Sequence, residues 1–127
     1  MSHISHTYIL LHLLSDPNQY DFDNTLELEI RSSIEDQAVL YTCDNFSDSV
    51  TLSYVSDLLK AEKVTIICDL SEGITTAGKL ASIFNQLIRH PNVRLFVNRE
   101  ALFLKPYMIR LKGIVYTEVR EVLDNSQ

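Results

Sequence analysis

Asp69, Ser71, Glu72, Thr75 and Thr76 bring two carboxylates and three hydroxyls into one eight-residue stretch. They follow directly on Lys63-Val64-Thr65-Ile66-Ile67-Cys68, a β-branched run with the character of a strand buried on both faces. Residues that leave such a strand and enter a helix stand where α/β domains keep their working edge, beyond the carboxyl ends of the strands. Two chemistries fit. Hydroxyls at a helix start can accept a phosphoryl group, because the helix dipole favours an anion there, or they can contact a partner. Carboxylates arriving from neighbouring strands suit Mg²⁺ or Ca²⁺, and Asp16, Asp44 and Asp69 each follow an apolar run. Each chemistry has a structural competitor. Thr75 or Thr76 is expected to cap the next helix, and Asp after a strand is an ordinary turn residue.

Other catalytic signatures are incomplete. Ser15-Asp16-Pro17 occupies the place of the glycine-rich phosphate cradle, which argues against dinucleotide and Walker-type binding. His3, His6, His12 and His90 give no motivated base for Ser71 or Cys68 as nucleophile. Cys43 and Cys68 lie within apolar runs and read as buried thiols, not as zinc ligands. No cofactor is expected, and the chain reads as non-enzymatic.

The elements that must position these residues alternate along the chain. Strands are expected at Thr7–Leu14, Ala38–Cys43, Lys63–Leu70 and Val93–Val97, with a short edge strand near Ile114–Tyr116. Phe22, Leu26, Ile30 and Ile34 recur every four residues and predict a helix, although Leu26, Leu28 and Ile30 also alternate as a strand would. Further helices are expected over Asp48–Lys60 with a stripe of Val50, Tyr54 or Val55, Leu58 and Leu59, from a Thr75 or Thr76 cap to before Pro91 with a stripe of Leu80, Ile83, Phe84, Leu87 and Ile88, and from about residue 105 to a Gly113 stop. A last helical turn or two falls within Glu118–Leu123. The expected fold is three-layer α/β: a mostly parallel sheet of four to five strands with helices on both faces, STAS-like or flavodoxin-like.

With 127 residues, 46% of them hydrophobic, the chain suits a single domain, 1–127, with its own core. Tyr8-Ile9-Leu10-Leu11 is far too short to span a membrane, and the first residues lack a signal-peptide pattern, so a cytoplasmic location is expected. Residues 1–59 carry ten acidic side chains and one basic, whereas residues 60–127 carry ten basic and seven acidic, so the halves differ in sign at −9 and +3. The overall charge of −6 argues against general nucleic-acid binding. Arg89, His90, Arg94, Arg99, Lys105, Arg110 and Lys112 form a basic run with Phe96, Phe103 and Tyr107, and these aromatics are expected in the core.

Residues 38–123 resemble a STAS domain, the fold of bacterial anti-sigma-factor antagonists. Val64-Thr65-Ile66-Ile67-Cys68-Asp69-Leu70-Ser71 is similar to that family's central strand with its Asp-Leu-Ser ending. Thr75-Thr76-Ala77-Gly78 resembles the turn that opens its signature helix, with Ala77 where the family is usually phosphorylated and Thr76 the nearest hydroxyl. The resemblance implies a regulatory module that docks another protein, such as a kinase or a transcription or signalling factor, and is switched by Ser/Thr phosphorylation. Its contact residues would be Ser71, Glu72, Thr75 and Thr76. The competing reading is a flavodoxin-like or receiver-like domain that binds a metal or small ligand with Asp16, Asp44 and Asp69. A third is a homodimer built on Phe103, Tyr107 and Met108.

Overall fold

The computed structural model describes residues 6–15, 25–34, 37–61, 63–90 and 92–125. Five strands, β1 (His6–Leu13), β2 (Ala38–Asp44), β3 (Val64–Leu70), β4 (Val93–Val97) and β5 (Ile114–Val115), form one sheet in the order β2-β1-β3-β4-β5. Every pairing is parallel. Five helices alternate with them: α1 (Thr25–Ser33), α2 (Ser49–Leu58), α3 (Ala81–Leu87), α4 (Lys105–Leu111) and α5 (Val119–Asn125). The strand order is that of doubly wound, flavodoxin-like sheets, in which the winding direction reverses between β1 and β3. No described helix is long and apolar enough to cross a membrane.

Strand alternation divides the interior into two layers. Ile9, Leu11 and Leu13 of β1 and Ile66, Cys68 and Leu70 of β3 face one way, into a core with Val55, Leu59, Ile83, Phe84 and Leu87. Tyr8, Leu10, Ile67 and Phe96 face the other, against Ile30 of α1 and Val122 of α5. The two faces account for the apolar character of β1 and β3, which have a strand on either side and helices above and below.

The two periods competing in residues 22–34 are resolved by burial. Ile30 is fully buried while Leu28 is 56% exposed, an arrangement that a helix face produces and a strand alternation does not. Phe22 and Asn24 lie outside the described residues. Glu27 accepts hydrogen bonds from Arg31, one turn on, and from the Thr42 hydroxyl on β2. In α2 the stripe is shifted from the expected one: Val55 and Leu59 are buried, but Val50 is 77% exposed and Tyr54 half exposed. Asp48 caps α2 by accepting from the Thr51 N–H, and Val50, in the first turn after that cap, faces solvent. Ile88 also departs from its expected stripe, standing partly exposed at the C-terminal end of α3.

The stop after α4 differs in mechanism from the expectation. Lys112 takes the left-handed conformation, with φ 53°, and the following Gly113 N–H donates to the Met108 carbonyl at 2.8 Å. A Cβ at Gly113 would lie 2.5 Å from Met108 Sδ and 3.3 Å from Met108 Cα, so a side chain there would displace the methionine thioether. Phe96 is buried, and Phe103 and Tyr107 pack against the larger core, as expected of the aromatics in the basic run. Met108 packs there too, which leaves the face named for a homodimer largely turned inward.

Candidate functional site

The carboxyl edge of the sheet is held by two asparagines that repeat one arrangement. Asn45, the residue after β2, donates its backbone N–H to the His12 carbonyl, and its side chain clamps Leu14 by accepting from the N–H at 2.8 Å and donating to the carbonyl at 2.9 Å. Asn98, the residue after β4, donates its backbone N–H to the Cys68 carbonyl and clamps Leu70 in the same way, at 2.8 and 3.2 Å. In each case the side-chain amide continues the parallel ladder by one peptide beyond the neighbouring strand. The clamped strands are β1 and β3, the pair at which the winding reverses. Ser71 N–H then donates to the Leu13 carbonyl at 2.8 Å, joining the two exits to each other.

Beyond this fixed edge, residues 71–77 form an irregular loop. Ile74 N–H closes a turn on the Ser71 carbonyl, with Gly73 at φ 85°. Glu72, Thr75 and Thr76 are exposed, Ser71 and Ile74 half-buried, and Ala77 buried. β3 is the third of five strands, so the loop rises from the middle of the edge.

The structure corrects the capping role expected of Thr75 and Thr76. Gly78 takes φ 55°, a left-handed conformation outside the helical region, and only a 3₁₀ turn, Gly78–Leu80, follows before α3 begins at Ala81. The two hydroxyls are thus several residues ahead of the first α-helical N–H groups. Neither the turn nor α3 receives a side-chain cap. A phosphate on Thr75 or Thr76 would meet solvent and surface charges, not the end of a helix dipole.

The three aspartates divide differently. Asp16 lies outside the described residues. Asp44 Oδ1 accepts from the Phe46 N–H at 2.7 Å, a turn-forming bond of the kind Asp makes after a strand. Asp69 points to the α1/α5 face, where Oδ2 pairs with His12 Nδ1 at 3.1 Å and Oδ1 accepts from Asn98 Nδ2 at 3.0 Å. Both aspartates stand in register with His12, one on either side of it in the sheet. Among the described residues no group of three or more His, Cys, Asp or Glu is placed to hold a metal ion.

Among the described residues, two of the clefts on this edge border these groups. One, of about 480 Å³, runs between the loop after β3 and the segment after β4 and is lined by Ser71, Ile74, Thr75, Arg99, Leu102 and Phe103. Leu102 is 86% exposed at its rim. The other, of about 610 Å³, lies on the α1/α5 side and includes Glu29, Asp69, Asn98 and Tyr116. Tyr116 is 5% exposed and its hydroxyl has no hydrogen-bond partner. Burial first, then the neighbouring Asp69 carboxylate, pushes its phenol above the usual tyrosine range. The thiols are quiet by the same physics: burial raises Cys43 to about 12 and raises Cys68 also.

Sequence reasoning placed Ser71, Glu72, Thr75, Thr76 and Asp69 on this edge and missed His12, Asn45, Asn98 and Tyr116 as participants. Asn45 and Asn98 carry a usable signal, since each follows an apolar strand by one residue. Tyr116 carries none, because its surroundings come from four separate elements. Compared with protein-family models, with curated proteins and with solved structures, the chain matches none.

Proposed function

We propose that this chain is a non-enzymatic regulatory domain that docks another protein through residues 71–76 and the adjoining segment 99–103. The observation that carries this reading is the exposed hydroxyl-bearing loop at the centre of the carboxyl edge, beside a groove whose rim holds Leu102 at 86% exposure. A lone exposed leucine is ordinary, but here Ile74 and Phe103 line the same groove, which gives a partner a continuous apolar strip. Covering Leu102 alone would contribute about 2 kcal/mol. Thr75 and Thr76 are the switch. Their side chains are exposed and cap nothing, and a phosphate on Thr75 would set roughly two negative charges in the groove that Arg99 also lines. The resemblance to STAS modules points the same way, although residues 25–33 are helical here and β1 pairs in parallel with β2.

The test combines a Thr75→Ala, Thr76→Ala double variant with phosphate mapping by mass spectrometry on protein from its native cell. The reading expects phosphate on one of the two threonines and altered partner binding in the double variant. Unmodified threonines together with unchanged binding would remove the switch. A small-ligand domain is the second reading, favoured by the strand order, because doubly wound sheets bind ligands outside their carboxyl ends. Fold alone does not decide between the two.

A further inference from the structure

From the cleft between α1 and α5 we infer a second binding site, independent of the docking loop, that takes a small organic cation with N–H donors, such as a protonated amine. The cleft is built at the carboxyl ends of β3 and β4, has a volume of about 610 Å³, and is lined by the Asp69, Glu29 and Glu118 carboxylates against the single guanidinium of Arg120. Leu26 and Val119 supply an apolar wall for an alkyl chain. An excess of carboxylates attracts cations, but acidic side chains on a surface are common and by themselves select nothing.

Tyr116 supplies the selection. It lines the same cleft, 95% of its surface is buried, and its hydroxyl is the one buried side-chain polar atom among the described residues that lacks a partner. A buried hydroxyl left unpaired is costly, so native structures seldom retain one without a use. Of the groups whose charge this hydroxyl feels, Asp69, Cys68 and Glu29, the two carboxylates line the cleft together with Tyr116. Asn98 is not available to a ligand in the same way. Its amide is committed to Asp69 and to both backbone groups of Leu70. Asp69 is held by His12 and Asn98 yet remains 36% exposed. A primary ammonium carries three donors, enough to meet the Tyr116 oxygen and two carboxylates together. A neutral alcohol of the same length lacks the charge, and an anion meets three carboxylates.

The experiment is a titration of the ¹⁵N-labelled protein by NMR at constant ionic strength, with putrescine as probe and with butanediol and acetate as the neutral and anionic comparisons. The expected result is saturable shifts at the amides of Glu29, Thr117 and Glu118 with an affinity of about 1 mM, and none from butanediol or acetate. Tyr116→Phe and Glu29→Gln should each weaken binding about tenfold, the lower end of what a hydrogen bond to a charged group is worth. Tyr116→Phe removes an unsatisfied hydroxyl and keeps the ring, so it should fold at least as stably as the parent. Glu29→Gln, on an exposed helix position, provides a second folded variant. No saturable shift up to about 20 mM putrescine, equal binding of butanediol or acetate, or undiminished affinity in Tyr116→Phe would each overturn the inference. Loss of partner docking in the Thr75 and Thr76 variants bears on none of these outcomes.

Discussion

Replacing Asn98 by alanine should destabilise the protein by about 3–5 kcal/mol. The side chain accepts from Leu70 N–H at 2.8 Å and donates to Asp69 Oδ1 and the Leu70 carbonyl at 3.0 and 3.2 Å. Leu70 is 2% exposed, so its N–H would be stranded with little access to water. A stranded buried donor costs about 1–3 kcal/mol, and the two donated bonds contribute about 1 kcal/mol each when solvent can partly replace them. Asp69 is the better compensated group, since it keeps His12 and 36% of its side-chain surface. Equilibrium urea unfolding should show a midpoint lower by roughly 2 M with an unchanged slope. The amides of Ser71 to Thr76 should shift most by NMR, because the clamp fixes where that loop begins. Asn98→Asp keeps the acceptor and loses both donated bonds, and it places a second carboxylate against Asp69. Like charge raises the pKa of the introduced carboxyl in the folded state, so stability lost at neutral pH should return as pH falls through that raised value. A loss below about 0.5 kcal/mol for Asn98→Ala would refute the clamp as the support of this edge.

Phe84→Ala should cost about 3–5 kcal/mol by the same unfolding assay, since Phe84 is wholly buried between α3 and the sheet. Cys43 and Cys68 should resist an aromatic disulfide reagent at pH 8 and react fully once urea unfolds the chain, because both are buried. Their folded pKa values are raised, Cys43 to about 12, so both stay protonated while the unfolded thiols ionise near their ordinary value of 9.0. Stability should therefore fall as pH rises above that value, and a double serine variant should flatten the alkaline limb. Asp48, whose carboxyl is held below its ordinary value mainly by the Thr51 N–H, acts in the opposite direction. Its contribution is present above the unfolded carboxyl pKa and is lost as pH falls through the depressed one, so Asp48→Ala should weaken α2 and reduce acid sensitivity in a circular-dichroism titration.

What could be read from the sequence was local. The run into Leu70 had no polar position until Asp69 apart from Thr65, and it proved to be a strand with helices on both faces and neighbours on both sides. Residues 25–33 carried helical and alternating patterns together, and burial of Ile30 without Leu28 separates them only in three dimensions. Thr75 and Thr76 suggested caps because a hydroxyl before an apolar stripe often is one. Gly78 could equally have continued the turn, and nothing local announces its left-handed conformation. The clamps at Leu14 and Leu70 join residues separated by 31 and 28 positions, and the Tyr116 cleft draws on α1, β3, the residue after β4 and the start of α5. Such partnerships arise from parallel register, which a single sequence does not display.

The account depends on the exits of β1 and β3 facing a partner, and site-specific photocrosslinking addresses that directly. A photoreactive residue placed at Thr75 or Glu72 should give one defined adduct in the native cell, and Leu102→Asp should abolish it. The same residue placed at exposed Lys63, at the opposite end of β3, should give none. Adducts from Lys63 that match those from Thr75, or an adduct from Thr75 that survives Leu102→Asp, would contradict the claim.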